Sequence, residues 1–320
     1  MGDRDAALVL AIAAGLDYLV GDPWGWWHPV QGMGWVIHQY THWVFKHIHN
    51  PLRLKTAGVI LGVGLISGSG LLGWAIGAGG RSLHPLLGMT IETIMLASCF
   101  AGRSLRDAAN SVLNCLKTGD LVATRQQLAN YVGRDTAQLD EPEILRAVLE
   151  TVAENATDGV LGPIFYAIVG SFLGIGGLPL ALAYKAASTL DSMVGYREAP
   201  YTQLGWFSAR TEDGLTWLPC RLVVITLALL SGKPRQVWRL CCRDAPQDPS
   251  PNSGWSECAY AASLGVQLGG KNNYQGRAKF KPLQGDPLYP ITPERIQMAL
   301  KLTRWVCLLW LSGAIALLLL

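Results

Sequence analysis

Glu154, Asn155, Thr157 and Asp158 crowd one end of "ETVAENATDGVLGPIFYAIVG", residues 150–170, where a polar helix meets a run apolar enough for lipid. On a continuous α-helix Glu154 and Asp158 lie one turn apart on one face. Carboxylates so placed repel unless a cation compensates them, and Mg2+ prefers one or two carboxylates together with phosphate oxygens and water. The bland alternative is a solvated helix end. A second stretch, "KAASTLDSMVGYRE" at 185–198, sets Lys185, Ser188, Thr189, Asp191, Ser192 and Arg197 after another apolar run. Read as one helix face, Lys185, the hydroxyls of Ser188, Thr189 and Ser192, and Asp191 suit phosphate and Mg2+ together. An interfacial helix with a snorkelling lysine explains them equally well.

Three further stretches carry weaker signals. "GRDTAQLDE", 133–141, offers Arg134 and Asp135 either as an anion-binding pair or as a charged turn between helices. "DAPQDPSPNSGW", 244–255, holds Ser250, Asn252 and Ser253 in a proline-anchored loop able to present hydroxyls and amides. "GVQLGGKN", 265–272, fits G-x-x-x-x-G-K, but Asn272 stands where a P-loop needs Ser or Thr for Mg2+, and the stretch before it is helical in pattern. A Gly-rich turn whose amides meet an anion remains open there. His38, His42 and His49 share a helix face without an acid beside them, which fits an interfacial helix better than a metal site. No Ser-His-Asp order, H-E-x-x-H pair or dinucleotide glycine fingerprint is present.

The elements that must position these residues are set by composition. Of 320 residues, 50% are hydrophobic and only 15% charged, against about 25% charged in soluble domains. Apolar segments fall at 6–20, 56–78, 85–101, 159–190, 214–231 and 303–320. Segment 56–78 has spanning length and glycines suited to close helix packing; the first segment reads as a retained span rather than a removed signal peptide. "GIGGLP", 174–179, cuts 159–190 into pieces too short to cross, so the pair is expected to dip into the membrane and return. That path would bring Lys185 and Asp191 back to the side holding Glu154 and Asp158. Basic residues concentrate in 102–158 and 232–302, which places both stretches in the cytoplasm, and 214–231, with Pro219 and Arg221, is then expected to be interfacial or re-entrant. Glu92, inside an apolar segment, needs a partner such as Arg103.

The expected fold is therefore an all-α, polytopic integral membrane protein with re-entrant or interfacial helices and cytoplasmic helical loops. It is expected to be a single membrane-embedded domain over 1–320, with 102–158 and 232–302 contributing a site that faces the cytoplasm. A net charge of +3 gives no reason to expect nucleic acid as a partner. The seven cysteines form no C-x-x-C pair and fit reduced core positions.

Five stretches together resemble the adenosylcobinamide-phosphate synthase family of cobalamin biosynthesis: "LDYLVGDPWGWWHPVQGMGWVI", "VGRDTAQLDEPEILRAVLETVAENATDGVLGPIFY", "LALAYKAASTLDSMVGYRE", "SPNSGW" and "SLGVQLGGKNNYQG". The resemblance implies a membrane enzyme that joins adenosylcobyric acid to an aminopropanol phosphate through an amide bond, driven by ATP with Mg2+. It also implies a lipid bilayer setting, with homo-oligomerisation or contact with later cobamide-assembly enzymes as further partners. On this basis Glu154, Asp158 and Asp191 are expected in Mg2+ or base work. Lys185, Arg134 and Arg197 are expected at phosphate, with Asn155, Ser250, Asn252 and Asn272 orienting substrate amides and Asp135, Ser192 and Ser253 beside them. Two positions depart from the pattern: Asp248 where a histidine is expected and Gln31 where an arginine is common. A membrane sensor without catalysis and a corrinoid transporter are the rival classes. Dense acid–amide motifs disfavour the first, and polarity gathered at one membrane face disfavours the second.

Overall fold

The computed structural model describes residues 2–21 and 28–320; the tract 22–27, inside the first of the five stretches, lies outside the described residues. The helices run α1 (Asp3–Leu19), α2 (Pro29–His47), α3 (Pro51–Leu83), α4 (Pro85–Ala97), α5 (Gly102–Lys117), α6 (Leu121–Ala129) and α7 (Glu141–Asn155). A π-helical turn over Ala156–Leu161 follows, then α8 (Gly162–Phe172), α9 (Gly177–Val194), α10 (Tyr201–Leu204), α11 (Trp206–Leu230), α12 (Pro234–Asp244) and α13 (Ser253–Leu264). Strands β1 (Leu268–Tyr274) and β2 (Arg277–Gln284) precede the last helix, α14 (Pro293–Leu318).

The protein is an all-α membrane protein with one small hairpin added. Four helical runs are long and apolar enough to cross a bilayer: Pro51–Leu83, Pro85–Lys117, Trp206–Leu230 and Pro293–Leu318. The second is interrupted at 98–101, and its apolar part, α4, covers only about 20 Å. The third contains the segment expected to be interfacial or re-entrant. Segment 214–231 is the end of one continuous helix of 25 residues, and Pro219 sits inside that helix without ending it.

Two compact units make up the chain. The first comprises residues 1–103, 158–216 and 309–320. Helices α2, α3 and α4 each start with proline at the first helical position, behind side-chain caps from His28, Asn50 and His84. The glycines of α3 serve close packing, as its composition suggests: Gly58, Gly62, Gly73, Gly77 and Gly80 are buried. Ile37, Leu61, Leu190 and Val194 form one of the unit's apolar clusters, drawn from α2, α3 and α9. The apolar stretch 159–190 does break at its glycines, and α8 packs on α9. Gly176 makes the turn at φ +89, a conformation that costs an L-residue. Glu92 is buried with Arg81 as its ion-pair partner at 2.5 Å, in place of the expected Arg103.

The second unit comprises residues 104–157 and 217–308, and so gathers 232–302 and all of 102–158 but its ends. Asp120 caps α6, its side chain accepting from the N–H groups of Val122 and Ala123. The acidic start of α7 is a capping box, Asp140 with Glu143, and Pro142 lies in its first turn. On α5, Leu105, Ala109, Val112 and Leu113 recur on one face and are buried; each leucine removed from water contributes about 2 kcal/mol. The antiparallel hairpin was not expected. Lys271 pairs with Phe280 and Tyr274 with Arg277, and a bulge lies between Leu268 and Gly270. Gln275 and Gly276 both take positive φ, the form that a tight two-residue hairpin turn requires.

Candidate functional site

In the second unit, Glu150 of α7 is the centre of a buried ionic network. Its carboxylate accepts from the Arg134 guanidinium, from Arg146 Nη1 at 2.9 Å and from the backbone N–H of Gly269 at 2.8 Å. Arg134 and Arg146 also donate to Asn272 Oδ1, at 2.8 and 3.0 Å. Burial alone would raise the Glu150 pKa, but the two arginines and the Gly269 amide outweigh it and hold the carboxyl below its ordinary value. Asp135, next in sequence, accepts from the N–H groups of Gln275 at 3.0 Å and Gly276 at 2.8 Å, tying down the tip of the hairpin. Arg134, Asp135 and Asn272, expected to meet ligand, are thus each engaged with other residues of their own unit.

A second cluster surrounds Lys281 on β2. Its ammonium donates to Glu257 Oε1 at 2.5 Å. Glu257 on α13 is fully buried, and its other oxygen has no hydrogen-bond partner among the described residues. Desolvation pushes the Glu257 pKa up to about 8; Lys281 opposes the rise, while the like charges of Glu154 and Glu150 add to it. Glu154 is exposed at the end of α7, and Asn155 beside it donates to Thr151 O at 2.9 Å. Thr157 meets Ser256 of α13 at 2.6 Å.

The loop before α13 holds itself together. Ser250 Oγ accepts from the N–H of Asn252 at 3.3 Å and of Ser253 at 3.2 Å. Asp248 accepts from the N–H of Ser250 at 2.9 Å and, through its other oxygen, from Gln284 Nε2 at 3.3 Å. Asn252 is buried and its Oδ1 accepts from Arg221 at 3.0 Å. Arg221 in turn lies over the rings of Trp217 and Trp255.

Asp158, Lys185, Asp191, Ser192 and Arg197 belong to the first unit. Lys185 and Ser192 share a face of α9, but Asp191 lies about 120° round from Lys185 at 100° per residue. This corrects the expectation of a single face, because six residues do not make whole turns. The hydroxyls of Thr189 and Ser192 donate back to helix carbonyls, Lys185 O at 2.7 Å and Thr189 O at 3.0 Å. Asp191 folds over Gly195, where an added Cβ would lie 2.0 Å from Oδ1. Tyr184 is buried, stacked on Tyr166 at 4.9 Å and paired with Thr216 at 2.8 Å; Thr216 donates to Glu212. A π-helical turn over Ala156–Leu161 takes the place of the continuous α-helix expected through Asp158.

Glu257, Lys281 and Glu212 lie in no stretch quoted above, and Glu150, which opens the first of them, is given no role there. Only the Arg146–Glu150 spacing of four residues could have been noticed in sequence. Among the described residues no three of His, Cys, Asp and Glu converge as a metal cage.

A family model described as "CobD/Cbib protein" matches residues 10–303. The chain is 52% identical to the cobalamin biosynthesis protein CobD of Synechocystis sp., over 97% of this chain and 92% of that protein. It is 39% identical to the cobalamin biosynthesis protein CbiB of Salmonella typhimurium, over 98% of this chain and 96% of that protein. A CobD of Geobacter metallireducens is 42% identical, over 90% and 89% of the two chains. No solved structure matches.

Proposed function

The chain belongs to the CobD/CbiB family of cobalamin biosynthesis proteins, and from that membership we propose that it joins adenosylcobyric acid to an aminopropanol phosphate, giving adenosylcobinamide phosphate at the expense of ATP. One observation carries the proposal: similarity to CobD and CbiB proteins runs through almost the whole chain and includes every stretch that holds a candidate site residue.

The chemistry sets the requirements. A carboxylate is a poor acyl donor, so it is first converted to a mixed anhydride with phosphate, and the amine then displaces that phosphate to form the amide. The ammonium nucleophile must lose a proton before it attacks, and charge must be neutralised at phosphate. Mg2+ fits here as a companion of the nucleotide phosphates, meeting one or two carboxylates from Glu154, Asp158 and Asp191; when bound it would neutralise phosphate charge. Lys185 and Arg197 are the proposed phosphate cations. Arg134, Asp135 and Asn272 act in this scheme by positioning the hairpin, while Asn155, Ser192, Ser250, Asn252 and Ser253 remain the polar groups offered to the amides of the corrinoid. Glu257 joins the list as a proton-holding group, since a carboxyl that titrates near neutral pH matches base work there. The polar segments are proposed to face the cytoplasm, which would give them access to ATP.

The experiment is a product assay with purified, reconstituted protein, adenosylcobyric acid, aminopropanol phosphate, ATP and Mg2+. Amide product that requires all four additions supports the proposal; intact protein that binds corrinoid but never forms the amide would favour a sensor.

A further inference from the structure

Helix α12 lies directly after the apolar end of α11. Ile225, Leu229 and Leu230 are exposed on that end, as lipid-facing residues would be. Only Ser231, Gly232 and Lys233 separate the two helices, and Gly232 turns the chain at φ +70. Three residues reach at most about 11 Å, and the headgroup layer of each leaflet is about 5–7 Å thick. The start of α12 is therefore held in, or immediately outside, that layer.

The two faces of α12 differ in kind. Val237, Leu240, Cys241 and Asp244 are buried, and the helix packs on α13 and β2. Arg235, Trp238, Arg239 and Cys242, at helical spacing of three and four, are all exposed. Arg243 is excluded from this face because Asp244 and Asp286 both hold it. Lys233, Arg235 and Arg239 have no ion-pair partner among the described residues. On α5, by contrast, Arg106 has Asp107 beside it at 3.9 Å. A face with cations only, plus one half-exposed tryptophan, has the composition of a helix seated on anionic headgroups.

We propose that Lys233, Arg235, Trp238 and Arg239 form a binding face for the phosphate of anionic glycerophospholipids. The guanidinium groups of Arg235 and Arg239 would take the phosphodiester oxygens, in the fork geometry that suits them. Trp238 would lie at the boundary between headgroups and acyl chains, braced from behind by Trp255 at 5.7 Å. The face needs neither nucleotide nor corrinoid, so it stands independently of the catalytic proposal.

The full chain is reconstituted in phosphatidylcholine nanodiscs carrying a minor fraction of dibrominated phosphatidylglycerol or, separately, dibrominated phosphatidylcholine. The Trp238 signal is the difference in fluorescence between the wild type and Trp238→Phe. The brominated phosphatidylglycerol should quench that signal more strongly at equal mole fraction. The triple variant K233Q/R235Q/R239Q should reduce the preference at least about tenfold, given roughly fivefold per basic residue near a charged surface. Should the triple variant fail to insert, the wild type gives the same answer, because its preference should fade toward roughly 1 M salt, where screening is nearly complete. Equal quenching by the two lipids, or a preference that survives neutralisation or high salt, would overturn the proposal.

Discussion

Lys281 Nζ donates to Glu257 Oε1 at 2.5 Å, while the second oxygen of the same fully buried carboxylate meets no donor among the described residues. Half of an ion pair is thus satisfied and half is open. Breaking such a pair is costly, yet keeping it is weak evidence for stability. The proposed role in proton handling would account for both its burial and its incompleteness.

The pH dependence of stability should reveal this carboxyl. Its pKa in the folded chain is about 8, above the ordinary 4.5, so the folded state keeps a proton that the unfolded state has released. The corresponding stability is full below about pH 4.5 and is lost as pH rises through about 8. In Glu257→Gln, thermal unfolding followed from pH 5 to 8 should show a flatter slope than wild type, by a few kcal/mol across the range. An unchanged slope would mean that the carboxyl is ionised throughout.

Glu150 behaves in the opposite sense. Arg134 and Arg146 hold its pKa below the ordinary value, so its stabilisation is present above the usual carboxylate range and disappears as acid reaches the lowered pKa. Arg134→Ala leaves a buried carboxylate short of one partner and should destabilise the second unit by about 3–5 kcal/mol. Hydrogen exchange at Gly269 should accelerate, because its N–H donates to the same carboxylate; protection equal to wild type would contradict the network.

Asp135 is expected to work through the hairpin tip. Asp135→Ala removes the acceptors of two backbone N–H groups and should cost about 1–3 kcal/mol locally. Exchange at Gln275 and Gly276 should rise, with Asp135→Asn intermediate. Should turnover fall without any change in exchange, Asp135 would belong with the ligand instead.

Asp191→Asn keeps the shape of the side chain over Gly195 and removes its charge. Turnover should drop by at least a hundredfold, while insertion and thermal stability stay near wild type. Full activity in this variant would strike Asp191 from the proposed chemistry.

The sequence showed best what local physics decides. Gly174–Gly177 announced the break between α8 and α9, and the glycines of 56–78 the close packing of α3. The hairpin escaped because Lys271–Tyr274 and Arg277–Lys281 carry few β-branched or aromatic residues, leaving the Gln275–Gly276 turn as the main signal. The buried acids escaped for a different reason. Glu150 and Asn272 meet through Arg134, whose bond to Asn272 spans 138 positions, and Glu257 pairs with Lys281 across 24. No spacing rule reaches that far, so residues read as ligand contacts emerged as partners of one another.

The central claim is amide formation, and direct detection of its product tests it most closely. Reconstituted protein incubated with adenosylcobyric acid, aminopropanol phosphate, ATP and Mg2+ should yield a corrinoid heavier by the amino-alcohol phosphate less one water, seen by mass spectrometry, and none when ATP is omitted. The same mass appearing at an equal rate without ATP, or no such corrinoid from intact, substrate-binding protein, would contradict the account.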